Sequence, residues 1–128
     1  MGVPTAKVYL TYDGRLNEDE ILKVLERARG LEVLTAFHAE NDAVITALRE
    51  QFRAEGKLSP MYHPLSRPDY CETEAIQRIL HLAETTGGVP VYIVHLSTAS
   101  GLKVIEEARG RGVSPIVAVE IPWLCAGD

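Results

Sequence analysis

At 128 residues with 46% hydrophobic side chains, the chain holds enough material for one domain with a buried core and too little for two. Its 13 basic and 18 acidic residues give a net charge of -5, and the signs alternate along helices without forming basic blocks, which argues against nucleic acid as a partner. No stretch reaches the roughly 20 apolar residues of a membrane span, and the start lacks the charged and apolar regions of a signal peptide, so the cytoplasm is the default expectation.

Val3 to Tyr12 is rich in β-branched and aromatic residues and stops at the turn Asp13-Gly14, predicting a first strand. Asn17 is placed to cap the next helix with Glu20 reaching back, and Ile21, Leu22, Leu25 and Ala28 form one apolar face before Gly30 ends it. Leu31 to His38 reads as a second strand. Asn41-Asp42 then opens a helix whose Val44, Leu48 and Phe52 recur every fourth residue until Gly56. From Lys57 to Tyr70, Pro60, Pro64 and Pro68 predict a long surface loop without regular structure, containing His63 and Arg67. A third helix over about Glu72 to Thr86 buries Ala75, Ile76, Ile79, Leu80 and Ala83, and Gly87-Gly88 breaks it.

Val89 to Ser97 is the third strand, a continuous apolar run carrying His95. Thr98 caps the fourth helix, which Gly110 and Gly112 close, and Pro115 to Ile121 is the fourth strand. Continuous apolar runs such as Val91 to Val94 and Ile116 to Val119 suit strands covered on both faces. Strands alternating with helices imply parallel pairing through right-handed crossovers, hence an α/β fold of about four parallel strands with flanking helices. Cys71 and Cys125 have no CxxC spacing and read as ordinary thiols.

In parallel α/β proteins the chemistry gathers at the carboxyl ends of strands. A lone histidine there has an ordinary structural reading, but His38 and His95 both sit at strand ends and would share one edge of the sheet, where a metal could bind. Lys7 lies inside the first strand and is either an edge lysine reaching solvent or a shielded amine. A shielded amine can take up carbon dioxide to form a carbamate, an anionic two-oxygen ligand. Tyr12 is either a solvated strand-end tyrosine or a phenol donor in a site. Glu40 would orient a ligand ring or cap the following helix, and capping is the preferred role. His63 and Arg67 read as structural, and His81 as a half-exposed helix residue.

Ala6 to Tyr12 (AKVYLTY), Phe37 to Asn41 (FHAEN), His63 to Pro68 (HPLSRP), Val94 to Ser97 (VHLS) and Glu120 to Pro122 (EIP) together resemble, in order, the dihydropyrimidinase and hydantoinase family of cyclic amidohydrolases. The resemblance implies a partial (β/α)8 TIM barrel, with residues 1–128 forming a single barrel domain truncated at both ends, because a complete barrel takes about 250 residues. It implies two zinc ions bridged by carboxylated Lys7, with His38 and His95 as ligands of the second ion and Tyr12 binding substrate and stabilising the oxyanion. The implied substrate is a small cyclic amide or ureide, and the implied assembly is a homo-oligomer, a tetramer in the intact family.

The family's His-x-His pair and its general-base aspartate have no counterpart here, since Asp128 falls too early. No catalytic base is assigned, and this stretch is expected to be inactive alone. Alternative readings are a non-catalytic assembly protein of the same superfamily, an allantoinase or dihydroorotase, and a flavodoxin-like binding domain. The last lacks a phosphate-binding glycine turn at Asp13-Gly14-Arg15.

Overall fold

Four strands, β1 (Thr5–Tyr9), β2 (Leu34–His38), β3 (Val91–Leu96) and β4 (Ile116–Val119), lie side by side in chain order, and every pair is parallel. They belong to a computed structural model that describes residues 4–119. The Glu120 to Pro122 motif, Cys125 and Asp128 lie outside the described residues. Five helices make the crossovers: α1 (Glu18–Leu31), α2 (Asp42–Ala54), α3 (Tyr62–Leu65), α4 (Asp69–Thr85) and α5 (Ala99–Gly110). The result is a four-stranded parallel sheet with flanking helices, as the alternation of elements predicts, and it corresponds to part of the (β/α)8 barrel that the family resemblance implies.

Local chemistry explains most boundaries. Asn17 and Glu20 form a reciprocal capping box on α1, Asn41 caps α2 through the Val44 amide, and Thr98 caps α5 through the Gly101 amide. Gly30 does not end α1, because the left-handed residue that closes it is Glu32 (φ 54°), whose amide reaches back to Ala28 and Arg29. The proline-rich stretch is also more ordered than expected. Pro64 falls early in the short helix α3, where its missing amide hydrogen costs little, and Pro68 directly precedes α4, which therefore starts at Asp69 instead of Glu72.

The register aligns Val8, Phe37, Ile93 and Val117 on one face of the sheet, and Lys7, Ala36, Tyr92 and Ile116 on the other. The first face is the core. Val8, Phe37 and Ile93 are buried there with Ile21 and Leu25 of α1, Ile76, Ile79 and Leu80 of α4 and Ile105 of α5. Helix α2 contributes less: Ile45 is its one buried residue, and Val44, Leu48 and Phe52 are half-buried. The second face carries exposed Lys7 and Ile116, and corresponds to the inside of a barrel. Among the described residues, no helix is long and apolar enough to cross a membrane.

Candidate functional site

The carboxyl ends of β1, β2 and β3 meet at a cleft of about 320 Å³, lined by Tyr12, His38, Glu40, His63, Arg67, Glu72, His95 and Ser97 among others. His38 arrives there by simple alternation. Phe37 before it points into the core and is fully buried, so the next side chain takes the opposite face.

His95 arrives differently. The pairing of β3 with β4 runs Tyr92 to Ile116 and Ile93 to Val117, then slips before resuming at Leu96. Alternation from Val91 and Ile93 would place His95 on their face, among the helices. Instead its backbone turns left-handed (φ 43°), Leu96 takes the core position at 2% exposure, and the imidazole turns to the cleft. A bulge of this kind re-aims one side chain, and a non-glycine residue in the left-handed region costs roughly 1–3 kcal/mol. Tyr12 is left-handed too (φ 71°), so two of the cleft's side chains stand on strained backbone.

The outcome is a pair of facing imidazoles, with His38 Nδ1 2.7 Å from His95 Nε2. The other His38 nitrogen, Nε2, lies 2.8 Å from Glu40 Oε2. Arg67 donates to the same carboxylate through Nη1, and its Nη2 donates to the Tyr12 hydroxyl at 3.3 Å. Burial opposes ionisation of Glu40, but hydrogen bonds from His38 and Arg67 outweigh it and hold the carboxyl below its ordinary range. An ionised carboxylate only accepts, so His38 Nε2 carries a proton and, in the neutral ring, Nδ1 presents its lone pair toward His95.

Helix α4 supplies the floor. Glu72, in its first turn and 9% exposed, accepts hydrogen bonds from the Ser97 amide (3.0 Å) and hydroxyl (3.1 Å) and from the Thr98 amide (2.9 Å) and hydroxyl (2.6 Å). Beside it the Cys71 carbonyl accepts the Asn41 amide at 3.0 Å. The Cys71 thiol is 1% exposed, and burial, helped by the Glu40 charge, raises its pKa.

Comparisons with known proteins bear on this arrangement. No family profile matches the chain. A D-phenylhydantoinase of Escherichia coli is 48% identical over 110 residues, which cover 86% of this chain and 24% of that protein. A solved D-hydantoinase (dihydropyrimidinase) from a Thermus species superposes with TM-score 0.89 at 32% identity, covering 94% of this chain and 27% of the other. A dihydropyrimidinase from Brevibacillus agri superposes with TM-score 0.88 at 33% identity, covering 91% of this chain and 26% of the other. The chain is a relative of the hydantoinases and dihydropyrimidinases. It spans about a quarter of the length of the curated relatives it matches.

Of the residues that the hydantoinase resemblance implies, the structure brings His38, His95 and Tyr12 into one cleft, with the Tyr12 and His38 rings 5.4 Å apart. Lys7 is not in the cleft lining: it is exposed on the sheet face that also carries Ala36, with Nζ 5.4 Å from the Tyr9 ring centroid. Glu40 does not cap α2, since Asn41 does, and it takes the other role by holding the His38 ring. Arg67 is more than structural, for it joins Glu40 to Tyr12. Glu72 is inconspicuous in the sequence, where its only local signal is an acid in the first turn of a helix.

A metal shared by the two imidazoles would need them farther apart: two nitrogens bound to one tetrahedral zinc at about 2.0–2.1 Å lie about 3.3 Å apart, against 2.7 Å here. Glu40 behind His38 is the outer partner that such ligands use. Among the described residues, no group of three or more His, Cys, Asp and Glu side chains is placed to hold an ion, and a catalytic zinc usually takes three protein ligands.

Proposed function

We propose that this chain is the part of a metal-dependent cyclic amidohydrolase that supplies His38 and His95 to one zinc ion and Tyr12 to the substrate. The observation that carries this reading is the 2.7 Å approach of His38 Nδ1 to His95 Nε2 at the ends of adjacent strands, beside a phenol that Arg67 already contacts. Bound zinc would polarise a ring carbonyl and activate water at neutral pH.

The chain's own residues have distinct tasks in that reaction. His38, fixed by Glu40, keeps one tautomer, so its free nitrogen is always the one aimed into the cleft. Arg67 occupies a lone pair of the Tyr12 oxygen, which leaves the phenolic proton free to donate to an oxyanion developing on the substrate. The substrate class is a small cyclic amide or ureide, in line with the names of the relatives.

A second zinc ion and carboxylation of Lys7 complete the proposal, and both require Lys7 to be shielded by further structure over its exposed face. A single barrel domain reaching over residues 1–128, homo-oligomer formation and a cytoplasmic location are further parts of the proposal. The sheet supports association in one respect: among the described residues, β1 and β4 each pair along one edge only.

Zinc titration by calorimetry on the wild type, His38→Ala and His95→Ala tests the assignment. Each substitution is expected to weaken binding at least tenfold, and unchanged binding in both variants overturns the reading.

A further inference from the structure

We propose that Glu72 is a positioning residue for His95, holding the β3 bulge in the form that turns the imidazole out of the helix layer and toward His38. Its metal consequence rests on the function proposed above, whereas its effect on the imidazole pair does not.

The chain has little room for manoeuvre after His95. Leu96 must enter the core and the chain must then begin α5 within three residues, while His95 keeps a left-handed backbone. Unrestrained, a strand relaxes toward regular alternation, and His95 would swing toward the side of Ile93. The Ser97 and Thr98 amides are what a restraint could grip, because they come directly after the bulge. Glu72 grips both and both hydroxyls as well, with its two carboxylate oxygens between 2.6 and 3.2 Å from their four donors.

Two further contacts make the clamp stiff. The Thr98 hydroxyl that donates to Glu72 also accepts the Gly101 amide at 3.0 Å, so the carboxylate is wired into the cap of α5. A Cβ on Gly101 would lie 2.8 Å from Leu96 Cδ1 and 2.8 Å from Thr98 Oγ1, so α5 presses directly on the two residues that define the turn. Glu72 itself stands in the first turn of α4. The carboxylate contacts neither imidazole, and its influence on His95 passes through the backbone.

The test reads the imidazoles directly in the metal-free full chain. Nitrogen-15 NMR of the wild type should show a hydrogen-bonded His38–His95 pair, visible as coupling across the N–H···N contact. Glu72→Gln replaces two acceptor oxygens by one and sets an NH2 group against N–H donors. It should abolish that coupling while leaving the amide spectrum of β1 and β2 in place, and should weaken zinc binding by about 10-fold, the low end of the range for losing a group hydrogen-bonded to a ligand, because Glu72 acts through the backbone. The double variant Ser97→Ala, Thr98→Ala removes both hydroxyl donors together with the Thr98 cap of α5 and should weaken the coupling without removing it.

Unchanged coupling and zinc affinity in Glu72→Gln overturn the proposal. Should Glu72→Gln fail to fold, unchanged coupling in the folded double variant overturns it equally. If Glu72→Gln loses the coupling while His38→Ala and His95→Ala still bind zinc like the wild type, the clamp stands and the metal reading falls.

Discussion

His38 and His95 face each other across one cleft, yet β2 and β3 deliver them by opposite means. β2 is regular: Phe37 is anchored in the core, and the place of His38 results from the two-residue period of a strand. β3 breaks its period at His95, and the next residue, Leu96, takes the anchor's place. The first histidine is therefore held by the residue before it and the second by the residue after it. A site built from both is only as stable as the less regular strand.

The contrast is stressed most severely at the β2 anchor. Phe37→Ala should cost about 3–5 kcal/mol, as for other fully buried aromatic truncations, read from denaturant unfolding, and should disorder His38 before His95. The corresponding stress on β3 is Gly101→Ala, whose new methyl group would push on Leu96 and on the Thr98 cap. A better helix residue recovers roughly 1 kcal/mol, so we expect a net loss of about 1–2 kcal/mol from overpacking; a stabilised variant would mean that Leu96 can yield. Smaller still, a pair of glycine substitutions made in the Glu40→Ala background isolates the backbone, because both then remove the same imidazole contact. His38→Gly loosens a regular strand, whereas His95→Gly relieves a left-handed residue, so the two melting curves should differ by about 1 kcal/mol in favour of His95→Gly.

The smallest effect is on pH. The folded carboxyl of Glu40 titrates below its ordinary value, so the stability it contributes is fully present above that value, about 4.3. It is lost as pH falls through the lower folded value. Urea midpoints of the wild type should drop more steeply below about pH 4 than those of Glu40→Gln, and parallel curves would mean that Glu40 plays no part in the acid response.

The regular half of this contrast is legible in the sequence and the irregular half is not. Caps at Asn17, Asn41 and Thr98 depend on neighbours three residues away, and the four apolar runs announce parallel strands. The bulge at His95 leaves no such trace: its cause is a core position claimed by Leu96 and a carboxylate 25 residues before Ser97 in the chain. Glu40 and Arg67 mislead a reader of the sequence for the same reason. Their partners, His38 and Tyr12, come together only when strand ends and the proline-rich segment converge, and composition gives no measure of that convergence. His38 and Tyr12 stand out because strand ends are few and chemically conspicuous.

The sealed thiol under the cleft has a practical consequence. Cys71 sits in the same helical turn as Glu72, almost without solvent contact and with its ionisation suppressed by burial, so an alkylating reagent can reach it as a thiolate only when that turn lifts from its contacts with Asn41, Ser97 and Thr98. The native chain thus carries its own chemical clock. The rate at which Cys71 is labelled, tracked by peptide mapping, counts how often the floor beneath the two histidines opens, and any ligand that bridges the imidazoles should slow the count.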